Sequence, residues 1–380
     1  MRQAVVALGL LALAAGTRPL PAQRYWVSSS SPYVYYRSTD GWWLAGFFRR
    51  SSPLAFEPRP EPWRASAVIT GGMSTEGSYY LQADAQAPAW WDGWRLGLTL
   101  SAVRFNRLGY YGVGNDTRFD EDSAGAGRSY FYKVSRTTQD ARLTVERRVV
   151  GPLRVLGGAV VQHSDFRGLP GETVFERDLA SGTVDPATVP FTDVAFRAGL
   201  VLDIRDHEID PHRGVVLEAL YADGRGYART TGSARAYVQP VERLVLAARV
   251  AAEQMTGNPP LAAQQLMETT GLPYVAVGGY RSLRGHYDGR FTGTGKLLGG
   301  LEARYALLWA PTILELKLVA FYDAGRVFGS GEELRLTTDD LHQAGGGELA
   351  LRIGYNSLVV FGAGFSDEGW QILFGTSWSY

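Results

Sequence analysis

In "KLLGGLEARYALLW", residues 296–309, apolar and polar side chains alternate almost without a break. Leu297, Leu301, Ala303, Tyr305, Leu307 and Trp309 fall on one parity, and Lys296, Glu302 and Arg304 on the other. A period of two marks a β-strand with one apolar and one polar face. "TILELKLVAFYDAG" repeats the pattern, with Leu314, Leu316, Leu318, Ala320 and Tyr322 opposite Glu315, Lys317 and Asp323. So does the last segment, "GWQILFGTSWSY": Trp370, Ile372, Phe374, Trp378 and Tyr380 share a parity, with Thr376 the exception. These runs reach about ten residues or more, the length that a tilted strand needs to cross a bilayer. Their apolar face often ends in an aromatic (Trp309, Tyr322, Trp378, Tyr380), as an interfacial girdle would. Lipid outside and water inside accounts for this better than a soluble sandwich does. The expected fold class is all-β, a transmembrane antiparallel β-barrel.

The same criterion gives sixteen strand candidates, near 32–38, 41–50, 63–73, 77–87, 92–106, 128–149, 152–165, 191–204, 213–223, 226–240, 242–255, 293–309, 311–328, 343–356, 357–366 and 369–380. An even number suits a closed bacterial barrel. With a periplasmic N-terminus, the long connections 107–127, 166–190, 256–292 and 329–342 face outward. Most of the others are short periplasmic turns, 51–62 and 205–212 being the longer two. The first strand, around "SPYVYYRS", reads as short and broken by serines. The last carries Gly375 at its middle, where glycine weakens a strand.

The N-terminus has the charge and apolar pattern of a secretory leader: Arg2, an apolar stretch from Ala4 to Ala15, and the small residue Ala22 at the cleavage point. Residues 1–22 are therefore expected to be a signal peptide and residues 23–380 a single outer-membrane barrel, located in the bacterial outer membrane with lipid as its surroundings. The chain has no cysteine, so disulfides, thiolate chemistry and lipid attachment to a cysteine are excluded. A net charge of zero argues against nucleic acid as a partner. Nearly all the cations are arginine, with lysine only at Lys133, Lys296 and Lys317.

"VAVGGYRSLRGHYDGR", residues 275–290, places Arg281 and Arg284 in a glycine-rich outward loop between strands eleven and twelve. Glu302 and Asp323 fall on the inward parity of the two strands that follow. A guanidinium folded into a partly enclosed lumen needs such a carboxylate, because an unpaired charge there is costly. "SLRGHY" resembles the VRGF/VRGY motif of the BamA/TamA-like bacterial surface antigen barrels, with Arg284 and Gly285 in register and His286 at the aromatic position. "FYDAG" resembles that family's F-x-D-x-G strand motif through Phe321, Asp323 and Gly325. "LGYYGVGNDT" is similar to its third outward loop. "VLDIRDHEIDPHRG" is similar to its D-x-R-D…P-x-x-G periplasmic turn, carried by Asp203, Arg205, Asp206, Pro211 and Gly214.

The resemblance implies that the sixth outward loop folds into the lumen, its arginine meeting Glu302 and Asp323. It implies a barrel that assists insertion or translocation of polypeptides, or of lipids, through a weak seam between the first and last strands. The implied partners are client outer-membrane or secreted polypeptides and, because the chain has no room for the periplasmic POTRA modules, a separate periplasmic protein. A passive porin-like or structural barrel, or the barrel half of a two-component secretion system, is the alternative.

No cofactor and no metal is expected. Asp203, Asp206, His207, Asp210 and His212 crowd one turn, but their order matches no trusted ligand spacing, and local pairing in a polar turn is the better reading. His163 is followed by Ser164 and Asp165, yet adjacent strand residues point to opposite faces. Neither it nor His286 or His342 completes a nucleophile–base–orienter set, so an enzyme is not expected.

Overall fold

A computed structural model describes residues 25–37, 40–54, 59–120, 122–125, 128–310, 313–354 and 357–380. The proposed leader, residues 1–22, lies outside them. Sixteen antiparallel strands form one sheet in chain order. They are β1 (Val27–Arg37), β2 (Gly41–Ser52), β3 (Ala65–Ser74), β4 (Tyr79–Trp91), β5 (Trp94–Gly109), β6 (Lys133–Val150), β7 (Leu153–Arg167) and β8 (Phe191–Asp203). The second half comprises β9 (Gly214–Gly224), β10 (Tyr227–Val241), β11 (Leu244–Gly257), β12 (Gly295–Ala310), β13 (Leu314–Phe328), β14 (His342–Ile353), β15 (Ser357–Ser366) and β16 (Gly369–Gly375). The sheet curls round a lumen. The long connections gather at one end and the short turns at the other, as the strand pattern predicts.

The two-residue period sorts side chains between lipid and lumen. Leu301 and Tyr305 of β12, Leu318 and Tyr322 of β13, Leu349 of β14 and Phe361 of β15 are exposed on the outside. Glu302, Arg304, Lys317, Asp323 and Glu348 are buried on the inside. Apolar side chains facing hydrocarbon need no protein partner, whereas the inward charges need one another.

Three readings of the sequence are corrected. The first strand is not short: β1 pairs with β2 along its whole length, from Val27 with Ser51 to Arg37 with Gly41. Trp309 is not an outward girdle residue, because a bulge between Ala306 and Leu308 exchanges the parity. Leu307 and Leu308 are consecutively exposed there, while Trp309 sits opposite the buried Glu315, its ring 6.2 Å from that of His212. The last strand ends at Gly375, not Tyr380. Beyond it the chain turns inward, leaving Trp378 5% and Tyr380 8% exposed within the lumen.

The connection between β11 and β12, residues 258–294, is the sixth at the long-loop end and is called loop 6. It folds back into the lumen through a short helix, α2 (Leu261–Gln264), and a two-residue ladder of Leu266–Met267 with Tyr274–Val275. Met267, Val277, Leu283 and Phe291 of the loop pack against Ala251, Leu298, Val327 and Ala344 of the inner wall. The long-loop end is closed above it by an aromatic cluster that includes Tyr110, Tyr111, Phe131, Tyr132 and Phe175, the last from the helix α1 (Val174–Ser181). Tyr287 of loop 6 stacks on Tyr111 at 5.7 Å.

Among the described residues no ladder or isolated bridge joins β16 to β1. These two edges carry unpaired backbone groups in the part of the wall that faces lipid, where each costs several kcal/mol. In a nanodisc, amides of Val27–Arg37 and Gly369–Gly375 are expected to exchange hydrogen faster than those of Tyr227–Val241, which has a ladder on both sides. Equal protection would mean that the seam is paired.

Candidate functional site

The loop arginine and the wall meet at Arg284. Its side chain is fully buried. Nε donates to Asp323 Oδ2 (2.7 Å) and Nη2 to Asp323 Oδ1 (3.0 Å), a fork-on-fork pair. Nη1 donates to Glu302 Oε1 (2.6 Å), and Glu348 on β14 supplies a third carboxylate at 3.4 Å. The Phe321 ring lies 3.8 Å from the guanidinium carbon, so one face is covered as well as its edges. Arg304 holds the other oxygen of Glu302 (2.7 Å), and Arg249 approaches Asp323 at 3.6 Å. Three carboxylates therefore face three guanidiniums.

The other residues of the two motifs set the approach. Gly285 lets the loop touch the wall: a Cβ there would stand 2.5 Å from the Phe365 carbonyl oxygen. Gly325 lies against Leu298. His286, at the motif's aromatic position, contacts Glu368 of the β15–β16 connection at 3.2 Å, and Arg290 pairs with the same carboxylate at 2.6 Å. Arg290 also donates to Thr117 Oγ1 (2.7 Å), tying loop 6 to the connection between β5 and β6.

A second anchor was not foreseen. Glu268, also on loop 6, sits among three arginines from alternate strands: Arg142 on β6 (2.6 Å), Arg197 on β8 (3.1 Å) and Arg229 on β10 (3.3 Å). Arg197 and Arg229 further donate to the loop carbonyls of Thr269 and Ala263. Loop 6 thus puts an arginine among carboxylates on β12–β14 and a glutamate among arginines on β6–β10. The signal was available in part: the three arginines fall on inward positions, and "LMETTG" holds the only carboxylate in the first half of the loop. Loops have no parity, however, so nothing in the pattern aims Glu268 at them.

The chain's last residues enter the same network. Tyr280 OH donates to the Ser377 carbonyl (2.7 Å), Ser379 Oγ to Glu302 Oε1 (2.9 Å), and Trp378 Nε1 to Asp210 Oδ1 (3.1 Å). The Trp378 ring covers Arg304 at 3.8 Å and the Tyr380 ring covers Arg249 at 4.5 Å. Trp370 and Phe374, by contrast, are exposed on the outer face, and Ile372 is half-buried there. The expected aromatic set is therefore divided between lipid and lumen.

In the turn between β8 and β9, Arg205 forks onto Asp203 (3.0 and 2.7 Å). Asp206 accepts the backbone N–H groups of His212 (3.0 Å) and Arg213 (3.2 Å). Partial burial opposes charge on Asp206, but the His212 side chain and these two N–H groups hold its pKa down at about 2. Pro211 is buried, and Gly214 closes the turn at φ +111°. Asp210, His212 and Glu315 place ligand atoms within 4.8 Å of one another. Lys317 Nζ sits among them, 2.6 Å from Asp210, 3.1 Å from Glu315 and 3.4 Å from His212 Nε2. An ammonium therefore occupies the centre of that trio. His163 bonds the Thr192 hydroxyl, while His286 and His342 pack round Phe291.

A sixteen-stranded transmembrane barrel whose sixth loop is drawn inside on a buried arginine defines the class of protein. The Omp85 superfamily domain matches residues 66–364, and the chain belongs to that superfamily. The structure is similar to BamA from Haemophilus ducreyi lacking POTRA domains 1-3, with a TM-score of 0.56 and 15% identity over 91% of this chain and 69% of that one. It is also similar to CdiB from Escherichia coli, with a TM-score of 0.59 and 13% identity over 94% of this chain and 63% of that one. The chain thus spans less than two thirds of the length of that CdiB. At these identities the likeness is one of fold. No curated protein matches the chain in sequence.

Replacing Arg284 with Ala would leave Glu302, Asp323 and Glu348 with too few cations, and breaking one partner from a buried pair costs about 3–5 kcal/mol. R284A is expected to lower the heat-modification midpoint and to open loop 6 to trypsin at Arg281 and Arg290; unchanged resistance of both would count against the lock. At Gly375 a Cβ would stand 2.4 Å from the Tyr280 ring. Gly375→Val is therefore expected to eject Tyr280 and speed amide exchange over residues 376–380, while Tyr280→Phe removes only the bond to Ser377.

Proposed function

We propose that this chain works in the bacterial outer membrane, assisting insertion or translocation of polypeptides through the seam between β1 and β16. Residues 1–22 serve as the leader, and the long-loop end faces outward. The observation that carries the reading is the pair of strand edges with no ladder between them. An unpaired edge can template an incoming strand. On that side β16 is held by loop 6 and by β12: His286 and Arg290 of the loop grip Glu368 before it, and Tyr280 of the loop and Glu302 of β12 grip Ser377 and Ser379 after it. Movement of the last strand is thereby tied to the loop that fills the lumen. The partners in this reading are membrane lipid, client polypeptides and a separate periplasmic protein that delivers them. Its work is mechanical and needs no catalytic set.

A passive channel is the competing reading. A lumen crossed by loop 6 and lined by paired charges favours gated over open passage. The test is reconstitution in liposomes, following the folding rate of an unfolded test barrel with and without the chain. Acceleration is expected, abolished by a disulfide between cysteines placed in β1 and β16 and restored by reduction; no native cysteine interferes. No acceleration, together with large steady conductance, would favour the channel.

A further inference from the structure

Beneath loop 6, towards the short-turn end, lies a cavity of about 340 Å³. Its walls are the short-turn halves of β4–β11, and its roof is the loop segment from Met267 to Arg281. Seven arginines and five carboxylates line it. Each carboxylate has an arginine of its own. Arg95 is on Glu208 (2.7 Å), Arg154 on Glu146 (2.7 Å) and Arg205 on Asp203 (2.7 Å). Arg235 is on Glu218 (3.1 Å) and Arg142 on Glu268 (2.6 Å). Two arginines remain. Arg249 directs Nη1 and Nη2 to the carbonyls of Arg281 and Ser282 and faces Asp323 at 3.6 Å. Arg281 is exposed to the cavity and, among the described residues, has no carboxylate partner; its guanidinium rests 5.1 Å from the Tyr274 ring.

The second observation is the excess of cations round Glu268. Arg142, Arg197 and Arg229 converge on that one carboxylate, and the adjoining Glu253 is shared by Lys296 at 2.7 Å and Arg229 at 3.5 Å, so four cations face two carboxylates. Three guanidiniums brought together by three different strands form an anion receptor, and they repel one another when its anion leaves. Its present occupant belongs to a loop, not to the wall.

We propose that this cavity receives an acidic segment of a polypeptide, one carboxylate pairing with Arg281 and another exchanging with Glu268 on the arginine trio. The proposal rests on the polypeptide-handling reading above and names its recognition chemistry. Exchange would free one of loop 6's two anchors at the cost of no unpaired charge on the wall, linking arrival of cargo to loosening of the loop. A lipid phosphate shares the charge, but its acyl chains would have to lie along walls set with twelve ionic groups, seven cationic and five anionic.

The test uses the full chain in nanodiscs and two fluorescein-labelled peptides, one alternating Glu and Ser, the other alternating Gln and Ser. Anisotropy is expected to show the Glu peptide bound more tightly by about fivefold, what a partly solvated ion pair is worth. Arg281→Gln is expected to reduce that preference and Arg281→Lys to retain it, which separates lost charge from lost fold. Glu268→Gln is expected to tighten the Glu peptide, because the resident competitor has lost its charge; weaker binding would overturn the exchange step. Equal binding of the two peptides, or a preference undiminished by Arg281→Gln, would overturn the site. Inorganic phosphate competing at the peptide's own concentration would overturn the assignment to polypeptide. A chain that prefers the Glu peptide yet accelerates no insertion would keep this site and lose the functional reading. Acceleration with no charge preference would do the reverse.

Discussion

Loop 6 is held in the lumen by charge, and the two anchors have opposite sign. A guanidinium removed from water is stable only where carboxylates replace its solvent, and Arg284 meets three. Glu268 meets three arginines on the facing wall. Each wall carries an excess of one sign that its own counter-charges, Arg304 and Arg249 on one side and Glu253 on the other, only partly offset, and the loop supplies the rest. Reversing the loop would set Arg284 among arginines and Glu268 among carboxylates, so the charge pattern fixes its direction as well as its depth. The apolar contacts of Met267, Leu283 and Phe291 add area but no such polarity.

That anchoring decides what supports the edge of the sheet. Among the described residues β16 has a ladder only with β15, seven residue pairs from Ser366 with Gly369 to Val360 with Gly375. The segments that flank it are held by side-chain bonds from loop 6, from Glu302 of β12 and from Asp210, each worth about 0.5–1.5 kcal/mol net, and more where one partner is charged. A few such bonds position a strand, but they do not replace a ladder whose unpaired groups face hydrocarbon. The seam is therefore the weakest line in the wall, and the bonds that flank its β16 edge come from inside the lumen.

Most of the wall was legible because lipid and lumen impose one period on every strand. Sixteen segments emerged from alternation, and parity placed Glu302 and Asp323 on the inward face, where the family resemblance put the loop arginine. Parity failed where the backbone left the ladder. At Ala306–Leu308 a bulge shifts the register by one, moving Trp309 from the lipid side to His212. After Gly375 the alternation of Trp378 and Tyr380 continues, but no strand carries it, and a lumenal ring on an arginine looks in sequence like a ring at a membrane interface. Glu268 was missed for the complementary reason, since a loop carboxylate has no face until the loop has a fold. His286 read as a departure from an aromatic motif; in three dimensions it keeps a ring against Phe291 and adds a contact to Glu368.

The inward turn of the tail explains why the two ends of the barrel are not independent. Arg304 and Arg249 lie on the inner wall with faces that water or a π-system must cover, and Trp378 and Tyr380 supply the rings. In doing so they thread between the loop and the turn. Ser379 shares Glu302 with Arg284, and Trp378 shares Asp210 with Lys317 and Arg352. A continuous chain of polar contacts thus runs from the tip of loop 6 to the turn between β8 and β9, and its middle links belong to the segment that follows β16, the strand paired on one side only. Contiguity alone does not make a switch; coupling requires an element with two arrangements. The tail has the features of such an element, being held by side chains rather than by a ladder. Drawing β16 outward strips Glu302 of one of its donors and Asp210 of another, loosening both ends together, whereas a strand paired on both sides would transmit nothing until its ladder broke.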